Sequence, residues 1–171
     1  MTVFVLLLRV MAIALTPAIV FASPSNLEAP VLLVVEVPDQ VGGDGLIVQF
    51  TLDDLQALPA VSFETETIWF TGSQRFTGVP LAVVMQQVGI TEGIIEASGS
   101  DDFSIELHMP TATAAGAIIA YQRNGSPMSV RKKGPLRVVY PFDDFPPLKR
   151  DLLFDNTIWH LVRIVVKPDM K

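Results

Sequence analysis

Val31 to Val37 is an apolar run broken only by Glu36 and closed by Pro38, and Leu46 to Phe50 is a second, broken only by Gln49, after the turn formers Gly42, Gly43, Asp44 and Gly45. Short β-branched runs bounded by turn residues predict paired strands. Thr51 then offers an N-cap for a short helix over Leu52 to Leu58, with Asp53 and Asp54 in its first turn and Pro59 stopping it. From Val61 to Trp69 the period becomes two, because Val61, Phe63, Thr65, Thr67 and Trp69 alternate with Ser62, Glu64, Glu66 and Ile68. That alternation predicts a strand with one polar face, ending at Trp69.

Further on, Phe76 to Leu81 leads into a helix expected over Leu81 to Val88, begun by Pro80 and ended by Gly89. Ile94 to Ala97 and Phe103 to Leu107 flank a turn at Ser98 to Asp102 and predict a hairpin or two neighbouring strands. A short Ala/Thr segment follows Pro110. Strands are expected at Ala117 to Arg123, Leu136 to Tyr140 and Ile158 to Val166, with a turn at Asn124-Gly125, a basic loop Arg131 to Gly134, and a long loop Pro141 to Asp155. The pattern predicts an α+β chain: a single mixed-sheet domain with short helices.

The N-terminus is different in kind. Met1 to Ala22 carries only Arg9 as a charged residue and ends in Val20-Phe21-Ala22 before Ser23, a pattern expected of a signal peptide cleaved to release an exported, periplasmic protein. An uncleaved membrane anchor is the alternative, because the apolar residues Val3 to Leu8 precede the arginine. Residues 23–171 then form the one domain. The formal net charge of -6 disfavours nucleic acid, whose binding needs a basic face to displace counterions. The chain has no cysteine, which excludes disulfides, thiolate metal sites and a thiol nucleophile.

Candidate chemistry gathers in two places. Arg123, Arg131, Lys132, Lys133 and Arg137 fall within fifteen positions of an acidic chain and read either as an anion site or as a solvated hairpin turn. Gly134-Pro135 sets a tight turn before Arg137, whose planar fork could grip a phosphate or carboxylate. Trp69 and Tyr140 lie at strand ends, with Phe76 seven residues after the first, where a flat heterocycle could stack, whereas Phe63, Phe70 and Trp159 read as core. His108 and His160 stand far apart with no ligand spacing, and Asp101-Asp102 and Asp143-Asp144 read as turn caps.

Taken in order and spacing, FTGVPL at Phe76 to Leu81, DDFSIEL at Asp101 to Leu107, AYQRNGSPM at Ala120 to Met128, KKGPLRVVYP at Lys132 to Pro141 and IWHLVRIVV at Ile158 to Val166 are similar to one known family. The chain resembles the oxidoreductase molybdopterin-binding (sulfite oxidase) fold, especially its short exported members, from about Val31 to Lys167. The resemblance implies a pterin where strand ends and loops meet, with Thr67, Trp69, Lys132, Arg137 and Tyr140 as candidate binding residues. Catalytic relatives ligate molybdenum through a cysteine after the strand equivalent to Val61 to Trp69; here Thr67, Ile68, Trp69 and Thr71 stand instead. A hydroxyl is a far poorer ligand for a soft metal. Relatives place a histidine and an arginine on the pterin phosphate, and Lys132 and Arg137 occupy the corresponding positions. The expected function is therefore a non-catalytic, exported pterin-binding protein with no molybdenum, molybdopterin being a less favoured ligand than a pterin. Its implied partner is the periplasmic domain of a membrane-bound signalling receptor, such as one that makes or degrades cyclic di-GMP. Alternatives are an oxidoreductase or redox-complex subunit with non-cysteine ligation, and an interaction domain without ligand.

Overall fold

Thr51 ends one strand and begins one helix in a single residue. Its N–H donates to the Asp54 carboxylate at 2.8 Å while the Asp54 N–H donates to Thr51 Oγ1 at 3.2 Å, a reciprocal capping box that satisfies two otherwise orphaned donors. In the computed structural model, which describes residues 29–38 and 45–167, strands β1 (Val31–Val37) and β2 (Leu46–Thr51) lead through this cap into helix α1 (Leu52–Ala57). The expected leader and most of the turn between β1 and β2 lie outside the described residues.

The chain continues as β3 (Val61–Thr67), β4 (Phe70–Pro80), α2 (Leu81–Gln86), β5 (Ile94–Gly99), β6 (Ser104–His108), α3 (Met109–Ala114), β7 (Ile118–Arg123) and β8 (Ser126–Pro127). It closes with β9 (Arg137–Val139), α4 (Pro147–Asp155), β10 (Ile158–Trp159) and β11 (Leu161–Val166). This is the expected α+β domain with short helices, its strands divided between two sheets. The first has the order β2-β1-β11-β5-β6 and is mixed, with β1 and β11 parallel and Val34 opposite Arg163. The second, β10-β9-β7-β4-β3, is antiparallel, with β8 paired to β7.

Three boundaries differ from expectation. The strand begun at Val61 stops at Thr67, and Ile68-Trp69 form the turn of a hairpin whose second arm is the eleven-residue β4. The stretch Pro141 to Asp155 is not all loop, since it contains a 3-10 turn at Phe142–Asp144 and then α4, which starts with Pro147 in its first turn. The final run is split at His160, whose left-handed φ of 53° carries the chain from the second sheet to the first. His160 Nδ1 lies 2.7 Å from the Gly134 carbonyl and ties that crossing to the loop before β9.

Leu33, Val35 and Ile164 of the first sheet join Phe76, Val79, Ile119 and Val138 of the second in one buried core. Gly78 is needed where β4 meets β7: a Cβ there would lie 2.2 Å from the Ile119 carbonyl oxygen and 2.5 Å from Ala120 Cα. Backbone cannot yield as a side chain can, so Gly78→Ala is expected to cost about 1 to 3 kcal/mol. Thermal denaturation of the variant checks this. No helix among the described residues is long and apolar enough to cross a membrane.

Candidate functional site

Arg137 opens β9 and is fully buried, with 0% of its surface exposed. Its Nε and both terminal nitrogens have no hydrogen-bond partner. What surrounds it is aromatic: the guanidinium carbon lies 4.6 Å from the centroid of Trp69, 5.4 Å from Phe70, 5.5 Å from Phe76 and 5.7 Å from Trp159. Ring quadrupoles recover part of the lost hydration, but each such contact is worth only about 0.5 to 2 kcal/mol. A buried charge without hydrogen bonds or a counter-ion costs several times that. Burial, with the charge of Arg123 second, accordingly pulls the Arg137 pKa well below the ordinary guanidinium range, to about 9.

Two more cations share these rings. The Arg123 guanidinium sits 3.7 Å above the centroid of Phe70, with one terminal nitrogen buried and unpartnered, and Lys133 Nζ lies 3.0 Å above Trp159. Desolvation and the charge of Arg137 lower the Lys133 pKa. The ion pairs among the described residues involve Arg75, Arg163 and Lys167, so none of the three clustered cations is matched by a carboxylate. The cluster is an electropositive centre suited to an anion or to the acceptor edge of a polar ligand.

Trp69 and Trp159, the chain's two tryptophans, also border a cavity of about 470 Å³ together with Ile68, Phe103, Phe154 and Thr157. Trp69 makes edge contacts to Trp159 at 5.4 Å and to Phe154 at 5.3 Å between centroids. The two indoles therefore face a ligand-sized, mainly aromatic hollow on one side and the Arg137 guanidinium on the other. Asp101 and Asp155 stand on its rim. An atom bound in this hollow reaches Arg137 only if a covering side chain moves, since the guanidinium itself is closed off.

Of the residues expected from sequence, Trp69 and Arg137 are brought together, and Phe76 closes the cage from beneath. Thr67 is buried at the end of β3, its hydroxyl without a partner. Lys132 is exposed and faces a separate hollow of about 170 Å³ beside Arg123; its neighbour Lys133 is the lysine that enters the cluster. Tyr140 is buried away from the indoles, against a small cavity shared with Glu106, His108 and Asn156, where burial raises the pKa of its hydroxyl. Phe70 and Trp159, expected to be plain core, are only partly buried and line the site. Phe154 was hidden with α4 in a stretch that reads as loop. Their common signal is aromatic density around a basic strand start.

No curated protein matches the chain in sequence. In structure it is similar to the sulfane dehydrogenase SoxCD from Paracoccus pantotrophus, with a TM-score of 0.54 and 16% identity over 78% of this chain and 38% of that one. At that identity the likeness shows the fold alone, and the chain spans well under half of that protein's length. Residues 40–142 match the model of the oxidoreductase molybdopterin binding domain, and those residues include the buried Arg137, Arg123 and Lys133 and the Trp69 hairpin. The chain belongs to the oxidoreductase molybdopterin-binding domain family.

Proposed function

We propose that this protein binds a pterin without performing metal chemistry on it. One observation carries the reading: a fully buried guanidinium with no partner on any nitrogen stands behind an aromatic-walled cavity large enough for a bicyclic ring. Once a covering indole moves aside, a ligand whose flat ring packs between aromatic side chains and whose carbonyl, ring nitrogens or phosphate meet the Arg137 fork resolves both features at once.

The residues suit the organic part of the cofactor that the family name implies. Arg123, Lys133 and Arg137 would hold an anionic or acceptor group, and Trp69 and Trp159 the ring. They do not suit its metal in the manner of catalytic relatives. The chain has no cysteine, and among the described residues no three His, Asp or Glu side chains gather as a ligand set. Export and ligand-dependent contact with the periplasmic domain of a membrane-bound receptor belong to the same proposal. Their support is the leader pattern before Ser23 and the resemblance to short exported members of the family.

Because both tryptophans border the cavity, their emission is the natural probe. Titration with unsubstituted pterin is expected to quench tryptophan fluorescence saturably, with calorimetry giving the same dissociation constant. Absence of both signals for pterin and for its reduced forms would overturn the proposal.

A further inference from the structure

The aromatic cavity has Asp101 and Asp155 in its lining and no cation; the clustered Arg123, Lys133 and Arg137 are not part of it. Neither carboxylate has an ion-pair partner among the described residues. The sequence reads Asp101 as a turn cap, but main-chain bonds close the turn between β5 and β6 instead. Gly99 N–H donates to the Phe103 carbonyl at 2.9 Å, and Ser100 N–H to the His160 carbonyl at 3.0 Å, which ties the turn to the residue after Trp159. Gly99 makes room for this approach. A Cβ there would lie 2.6 Å from Asp101 Oδ1 and 2.7 Å from the Trp159 carbonyl oxygen, so the carboxylate is folded back against the strand that carries the indole. Trp159 Nε1 is itself buried without an acceptor. Two neighbouring wall residues thus offer a two-oxygen acceptor and an unused N–H donor.

We propose, resting on the pterin reading above, that Asp101 is the residue that selects an amino-oxo pyrimidine edge over the edges of other flat heterocycles. A pterin presents along that edge its 2-amino group, N3–H and 4-carbonyl, which are two donors followed by an acceptor. The Asp101 carboxylate takes both donors in the parallel geometry that carboxylates form with guanidinium groups, and the Trp159 N–H serves the carbonyl. A ring with oxygen in place of the amino group turns a lone pair towards a carboxylate and is repelled. Asp155 comes from the last turn of α4, has no such tie to the Trp159 strand, and adds negative charge to the same cavity. The remaining acceptors of the ring are left for Arg137.

Calorimetry on the full chain with three probes tests this: unsubstituted pterin, lumazine, which has oxygen in place of the 2-amino group, and pteridin-4-one, which has hydrogen there. Pterin is expected to bind about tenfold or more tighter than either, the worth of one hydrogen bond to a charged group. Asp101→Asn keeps the side-chain shape but turns one acceptor into a donor. It is expected to bring the three affinities together, chiefly by weakening pterin. Asp101 is exposed, so the variant should fold, and circular dichroism melts check that it does. The comparison of probes on the native protein stands without it. Equal or tighter binding of lumazine or pteridin-4-one by the native protein overturns the selection and leaves the pterin reading standing, as does a preference that survives Asp101→Asn. Failure of every probe to bind overturns both.

Discussion

Replacing Arg137 with methionine is expected to stabilise the ligand-free protein while destroying its binding site. A fully buried guanidinium with three unpartnered nitrogens is a net cost to the fold, because its desolvation is offset only by ring faces. An apolar side chain of similar length fills the same space without that cost, and such replacements of buried charge gain about 1 to 4 kcal/mol. The melting temperature should rise by roughly 2 to 4 °C for each kcal/mol in a chain of this size. The effect also has a pH signature. The folded chain holds Arg137 at about 9, well below the ordinary guanidinium range, so folding disfavours the charged form. The cost is therefore present in full below pH 9 and fades as pH rises above 9 towards the ordinary guanidinium range, and the stability gap between variant and native protein narrows over that window. Binding moves the opposite way: losing two charge-assisted hydrogen bonds is expected to weaken pterin affinity about a hundredfold or more. Arg137→Lys should rescue little of it, since an ammonium lacks the planar fork. Melting curves and titrations on the same preparations check both halves. A destabilised Arg137→Met protein would show that the guanidinium has a partner that stabilises the fold.

Trp69→Ala is expected to damage both fold and function. The indole touches Phe142, Phe154 and Trp159 edge-on and lies over Arg137, so its removal opens a void at the point where the β3–β4 hairpin, α4 and β10 meet. Truncations of this kind cost about 3 to 5 kcal/mol in stability. Affinity should fall by a further 1 to 3 kcal/mol, roughly the worth of stacking one ring on an aromatic platform. Trp69→Phe separates the two effects, because it keeps a ring for stacking and fills most of the void. Chemical denaturation together with ligand titration of both variants checks this, and native affinity in a folded Trp69→Ala protein would remove the residue from the site.

Elements whose residues satisfy a local rule were legible without coordinates. β1 and β2 are short runs rich in Val, Leu and Ile, α1 carries its own cap at Thr51, and the β7–β8 turn is marked by Asn124-Gly125, both with positive φ. β4 was not legible because no apolar alternation runs through Thr71-Gly72-Ser73-Gln74; its strand geometry comes from pairing with β3 across the Ile68-Trp69 turn. α4 was masked by Pro146-Pro147 and by a low apolar content, since its exposed Leu148 and Leu152 do not form a buried stripe. The site divides in the same way. Arg137 follows from a basic residue placed after Gly134-Pro135, but choosing between Lys132 and Lys133 depends on the 3-10 turn and on the left-handed φ of 66° at Lys133. No periodicity encodes that choice. Tyr140 and Trp159 differ from their expected placement for a tertiary reason: the first is enclosed in the core, and the second is partly exposed at the cavity where the chain crosses between sheets.

The proposed site holds a pterin and not a metal. Protein purified from its native compartment without denaturation, then analysed for organic ligand by mass spectrometry and for metal by elemental analysis, tests it most directly. The account predicts a pterin in a ratio near one per chain with neither molybdenum nor tungsten. Stoichiometric molybdenum or tungsten, or a chain that carries no pterin and takes none up when it is supplied, would contradict it.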